Sequence, residues 1–113
     1  LEGLALGLDG LAPEQRARVE VVPGAAGDCC DAAEGADVVV VDPPRKGLDA
    51  PLADRLAERP PRRLVYVSCG LASLQADVHR LIRPGGLRLA GLTAFNLMPY
   101  TAHVETVACF ERT

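Results

Sequence analysis

The chain has 113 residues, of which 49% are hydrophobic and 24% charged, and it carries a net charge of −3. That length suits one domain able to bury a core, and the charge excludes a freestanding nucleic-acid binder held by its own basic surface. No apolar run approaches the roughly 20 residues that a membrane-spanning helix needs, so no membrane partner is expected.

Leu1, Leu4, Leu8 and Leu11 recur at helical spacing, with Gly10 near the stop, which predicts an opening helix. The first residues include no methionine and no basic flank of a secretion signal, so we expect a fragment of a longer protein. Arg18 to Val22 alternates weakly and reads as a short strand ended by Pro23-Gly24. Residues 24–36 are small and acidic, a loop with one helical turn around Cys30 to Glu34. Asp37 to Asp42 (DVVVVD) is β-branched without alternation, the pattern of a strand covered on both faces in a parallel sheet. Pro43 and Pro44 end it, because neither can donate a ladder hydrogen bond.

Asp49 can cap the next helix, with Pro51 in its first turn, Leu52 and Leu56 on one face, and Pro60-Pro61 as its stop. Leu64 to Ser68 is a second buried strand, with Cys69 at its carboxyl end. Ser73 can cap a helix whose apolar face is Leu74, Val78, Leu81 and Ile82. Leu87 to Phe95 and Val104 to Phe110 form two further strands, joined by a loop holding Asn96, Pro99 and Tyr100. That connection is too short for a helical crossover, so the pair is antiparallel. The fold class is therefore α/β: part of a doubly wound, Rossmann-like sheet, mainly parallel with a carboxyl-terminal antiparallel pair.

Charge is uneven along the chain, −7 through Pro44 and +4 from Arg45 onward. The basic half can face phosphate or simply be solvated helix surface. Cys29, Cys30, Cys69 and Cys109 offer no CxxC spacing, so no metal site is expected and free thiols in a reducing cytoplasm are the default.

In doubly wound sheets, ligands bind at the carboxyl ends of the strands. Asp42 and Cys69 both lie at such ends, on strands expected to be neighbours. Each also has a plain structural reading, Asp42 as a strand-end turn and Cys69 as packing. A cysteine nucleophile needs an activating environment, because only its thiolate reacts. Glu105 stands where the last strand begins, as a surface glutamate, a partner for His103 or an arginine, or a base that removes a carbon-bound proton.

Taken together, DPPRKG, VYVSCG and MPYTAHVET, in this order and spacing, resemble the RNA uracil-C5 methyltransferases, over roughly Asp37 to Thr113. The resemblance implies that the chain is the carboxyl-terminal portion of one S-adenosylmethionine-dependent methyltransferase domain, acting on tRNA or rRNA. It implies Cys69 as the nucleophile, Glu105 as the general base, and Asp42 in the cofactor and base pocket beside Pro43 and Arg45. Asp28 resembles the acidic residue that faces the adenine of the methyl donor.

Gly70-Leu71 stand where that family has Asn-Pro, a change expected to loosen the turn. The chain offers no Gly-rich strand-to-helix turn for the rest of the donor, so the isolated piece is expected to be inactive. The 37–42 strand is expected to present a bare edge, and a dimer, a swapped strand or aggregation through that edge follows. Runner-up readings are a methyltransferase directed at cytosine C5 or guanine, and a degenerate, non-catalytic RNA-binding module.

Overall fold

A computed structural model describes residues 7–96 and 104–113. Leu1 and Leu4 of the expected first helix, and residues 98–103 of the third motif with Pro99 and Tyr100, lie outside the described residues. Residues 7–9 are helical, and a four-residue helix α1 (Pro13–Arg16) follows.

Four strands form a single sheet: β1 (Val38–Val41), β2 (Arg63–Ser68), β3 (Leu87–Phe95) and β4 (Glu105–Arg112), in the order β1-β2-β4-β3. Two longer helices connect them, α2 (Ala50–Glu58) between β1 and β2, and α3 (Leu71–Ile82) between β2 and β3.

The sheet is less parallel than the sequence pattern predicts. Only β1 and β2 run parallel, whereas β4 inserts antiparallel between β2 and β3. The short return from β3 explains this. A strand that doubles straight back must run antiparallel to β3, and β4 uses its second side to pair with β2.

The predicted strand over Arg18 to Val22 does not form, and no ladder reaches it. A strand needs a partner, and β1 ends the sheet with its outer edge unpaired among the described residues. The loop over 24–36 holds two short 3-10 turns, Ala26–Asp28 and Cys30–Ala33, close to the single turn expected there.

Helices α2 and α3 cover one face of the sheet. Leu52 and Leu56 of α2 and Leu74 and Leu81 of α3 meet Leu64, Tyr66, Leu87, Ala108 and Phe110 in one core. Burying each large apolar side chain is worth about 1.5–3 kcal/mol, so this layer carries most of the stabilisation. Strand β2 alternates, with Leu64, Tyr66 and Ser68 buried against the helices, and β4 does the same with Thr106, Ala108 and Phe110.

Among the described residues, no helix covers the opposite face. Val39 and Val41 pack against the core, but Val38 is 52% and Val40 65% exposed, so β1 is not covered on both sides as its unbroken valine run predicts.

Two helix starts differ in detail from expectation. Asp49 is the N-cap residue of α2, but its side chain makes no cap bond and accepts instead from the Gly27 amide at 3.1 Å. Helix α3 begins at Leu71 with Gly70 as N-cap, three residues ahead of the expected cap Ser73, whose hydroxyl donates to the Gly70 carbonyl at 3.1 Å.

Candidate active site at the carboxyl ends of β1 and β2

Asp42 follows β1 and Cys69 follows β2, and the parallel pairing of these strands brings their carboxyl ends side by side, with Val41 opposite Tyr66. After Asp42 the chain turns over Pro43 and Pro44, and the Gly47 amide donates to the Pro44 carbonyl at 2.9 Å. Gly47 has φ +90°, and a Cβ there would sit 2.7 Å from the Asp77 carboxylate, so the turn needs glycine on both counts.

The turn reaches the cysteine loop. A Cβ on Gly70 would lie 3.2 Å from the Arg45 carbonyl oxygen, so the backbones of the two loops are in close contact. Arg45 therefore borders the Cys69 turn through its backbone.

Cys69 is exposed, and its turn is tied on both sides. The Ser68 hydroxyl accepts from the Gly70 amide at 3.1 Å and donates to the Gly70 carbonyl at 3.0 Å, and Ser73 donates to the same carbonyl. The expected loosening at Gly70 is thus offset by two serine hydroxyls. Gly70 is also the residue that lets Arg45 come so close.

Glu105 begins β4. Ser68 and Thr106 are the last pair of the β2–β4 ladder, and Cys69 and Glu105 are the next residues of their two chains beyond it. Alternation from the buried Thr106 places Glu105 on the sheet side away from the helices, whereas Cys69 lies past the end of β2, in the turn. Glu105 is half-buried and also pairs with Phe95 of β3.

Asp42 and Pro43 line a groove of about 390 Å3, walled by Val40, Val41, Ala25 and Ala26. Asp28 is not part of it. It is exposed and borders a separate depression with Glu20, Val22 and Cys29.

Among the described residues no cluster of His, Cys, Asp or Glu is arranged to hold a metal ion, and no helix is long and apolar enough to cross a membrane.

Beneath the two loops lies a polar group that the sequence reading passed over. Asp77 of α3 is buried, and one carboxylate oxygen, Oδ2, accepts from the Tyr66 hydroxyl at 2.5 Å and from the Leu48 amide at 2.9 Å. Its signal was present: Asp77 stands three residues after Leu74 and four before Leu81, a charged residue inside an apolar helical stripe.

Burial pushes the Tyr66 hydroxyl pKa well above the usual tyrosine value, and the hydrogen bond to Asp77, the Asp77 charge and the charge of nearby Cys69 add to it. A raised folded-state value means that Tyr66 stabilises the fold fully below about pH 10, and that this contribution drains away as pH climbs through the raised value. Tyr66→Phe should therefore lower stability at neutral pH by about 1.5–3 kcal/mol and flatten its alkaline decline, as read by denaturant midpoints between pH 8 and 11.

The family model of the tRNA (uracil-5-)-methyltransferases matches residues 33–113, which hold Asp42, Cys69 and Glu105. The chain belongs to this family.

A tRNA (uracil-54, C5)-methyltransferase of Pyrococcus abyssi, solved in complex with S-adenosyl-L-homocysteine, superposes with a TM-score of 0.61 at 41% identity, over 67% of this chain and 18% of that one. An uncharacterized RNA methyltransferase of Gloeobacter violaceus is 48% identical over 77 residues, 68% of this chain and 17% of that protein. The 23S rRNA (uracil(1939)-C(5))-methyltransferase RlmD of Alkalilimnicola ehrlichii is 43% identical over 88 residues, 78% of this chain and 20% of that protein. The chain thus spans about a fifth or less of the length of these uracil-5-methyltransferase family relatives. Asp28 falls outside the span that the family model matches.

Proposed function

We propose that this chain is the carboxyl-side part of one methyltransferase domain, its four strands belonging to a larger doubly wound sheet, and that the full-length protein methylates C5 of uridine in tRNA or rRNA. The observation that carries the reading is that an exposed Cys69 turn and Glu105 lie at the same end of paired strands, each one residue beyond the Ser68–Thr106 pair, within a family-matched segment.

Uracil C5 is a poor nucleophile. Addition of the Cys69 thiolate to C6 forms a C–S bond and places the ring electrons in an enolate, so that C5 becomes nucleophilic. S-adenosylmethionine, when bound, supplies an electrophilic methyl group. Once C5 has taken the methyl, Glu105 removes the C5 proton, the C6–S bond breaks, and the thiolate is regenerated. The target base must leave its stack to reach between these groups, at a cost of a few kcal/mol.

The donor-side residues fit part of this requirement. The groove beside Asp42 has apolar walls suited to a flat base, and the Asp42 carboxylate stands at its rim. The carboxypropyl and ribose portions would need residues supplied outside this chain.

The test uses the full-length protein with RNA carrying 5-fluorouridine, and the methyl donor. Fluorine takes the place of the C5 proton and cannot be abstracted as one, so the adduct is trapped. A covalent protein–RNA complex on denaturing gels, with the crosslink mapped to Cys69, is the expected outcome. Methyl transfer to cytosine or guanine instead would favour the runner-up enzymes, and neither transfer nor adduct would favour a non-catalytic RNA-binding module.

A further inference from the structure

We propose that Asp77 is a positioning residue that holds the Asp42–Leu48 loop in register with the Cys69 turn. The kinetic part of this inference rests on the uridine-methylation reading; the structural part does not.

The connection is made by one atom. Asp77 Oδ2 receives the Leu48 amide at the end of the first loop and the Tyr66 hydroxyl three residues before Cys69. Gly47 packs against the same oxygen, close enough that no side chain fits between them. The other end of the first loop is anchored by β1, and its middle touches Gly70 through the Arg45 backbone. Shifting Leu48 relative to Tyr66 therefore moves the Pro43–Arg45 segment relative to the thiol.

A buried carboxylate is costly unless hydrogen-bonded, and an apolar residue at position 77 would pack against the core without that cost. Core packing alone thus gives no reason for an aspartate here. The two hydrogen bonds give one: the first leads to the Asp42–Leu48 loop and the second to the strand that ends in the Cys69 turn.

Four variants of the full-length protein separate positioning from stability. Asp77→Leu removes the acceptor while preserving bulk. Asp77→Asn keeps a single oxygen able to accept both donors, and so should restore the arrangement. Tyr66→Phe removes one of the two bonds. Leu81→Ala destabilises the same helix one turn further on without touching either bond.

In Asp77→Leu, hydrogen exchange of the Leu48 amide should speed up by about tenfold or more. The rate of 5-fluorouridine adduct formation at saturating RNA should fall by about 100-fold, as expected when reacting groups are misplaced by an ångström. Asp77→Asn should stay near the parent protein in both measurements, Tyr66→Phe should fall between, and Leu81→Ala should form adduct at the parent rate below its own unfolding midpoint.

Unchanged Leu48 exchange and adduct rate in Asp77→Leu would overturn the proposal, as would an equal loss of adduct rate in Leu81→Ala. If the parent protein itself forms no adduct, the methylation reading fails and the Leu48 exchange alone decides the coupling. If Asp77→Leu does not fold, the order parent, Asp77→Asn, Tyr66→Phe supplies the same decision.

Discussion

A Cys69→Ser variant of the full-length protein should form no covalent complex with 5-fluorouridine RNA, whereas Cys29→Ser, Cys30→Ser and Cys109→Ser should form it as the parent does. The four thiols sit in different surroundings. Cys30 donates to the Gly27 carbonyl at 3.1 Å and packs at the margin of the core. Cys29 faces the Pro23 carbonyl at 3.8 Å. Cys109 is exposed but lies mid-strand in β4, paired across to Val65 and Gly91, away from the loops at the strand ends.

Only Cys69 stands at the carboxyl end of a strand, in a turn shaped by Ser68 and Ser73 and bordered by the Arg45 backbone. A serine hydroxyl fits the same space but is a far weaker nucleophile at neutral pH, because its anion is scarcely populated. The variant should remain folded, since the cysteine is exposed and its neighbours' hydrogen bonds run through Ser68 and Gly70. Loss of adduct together with an unchanged unfolding midpoint is the expected pair of results. An adduct that survives Cys69→Ser and disappears with Cys109→Ser would move the nucleophile from the strand ends to the middle of β4.

The parts of the fold that local pattern controls could be read from the sequence. Strand β3 has the bounds its residues predict, Leu87–Phe95, because Gly85-Gly86 precede it and no proline falls within it. The faces of α2 and α3 follow from Leu52, Leu56, Leu74 and Leu81 at helical spacing. The antiparallel return of β4 followed from the length of its connection.

Features set by neighbours could not be read in this way. Four valines in a row fit a strand covered on both faces equally well whether or not a covering layer is present, and here Val38 and Val40 face outward. The weak alternation at Arg18 to Val22 met no partner strand and stayed irregular. That β4 would lie between β2 and β3 required knowing which strand takes its second edge.

For the site, the ends of β1 and β2 were legible because proline and cysteine mark them. The Ser68–Gly70–Ser73 bonds and the Asp77 carboxylate were not, since each depends on a partner brought close by packing. Asp77 is the instructive residue. A reading that counts apolar positions along a helix passes over the polar residue inside the stripe, although a charge in that place must find hydrogen bonds.

Glu105→Gln should separate bond formation from release. Glutamine preserves the shape of the side chain and leaves the backbone pairing of β4 with β3 undisturbed, but it cannot take a proton. Thiolate addition and methyl transfer precede proton removal, so both remain possible in this variant. Elimination does not, because the C6–S bond breaks only as the C5 proton leaves.

With ordinary uridine RNA and the methyl donor, turnover should fall on the order of 10²–10⁴-fold, the usual contribution of a positioned base. A covalent complex carrying the transferred methyl should accumulate, detected as a protein–RNA species that retains radiolabel after denaturation. Cys69→Ser under the same conditions should give neither product nor complex. The contrast is informative because the two residues lie at the same end of the β2–β4 ladder, so a general disturbance at the strand ends would impair both steps together. A Glu105→Gln protein that turns over at the parent rate would assign proton removal to another group. One that forms no complex would mean that Glu105 acts before the methyl is transferred, in binding the base or in assisting addition, rather than in releasing the product.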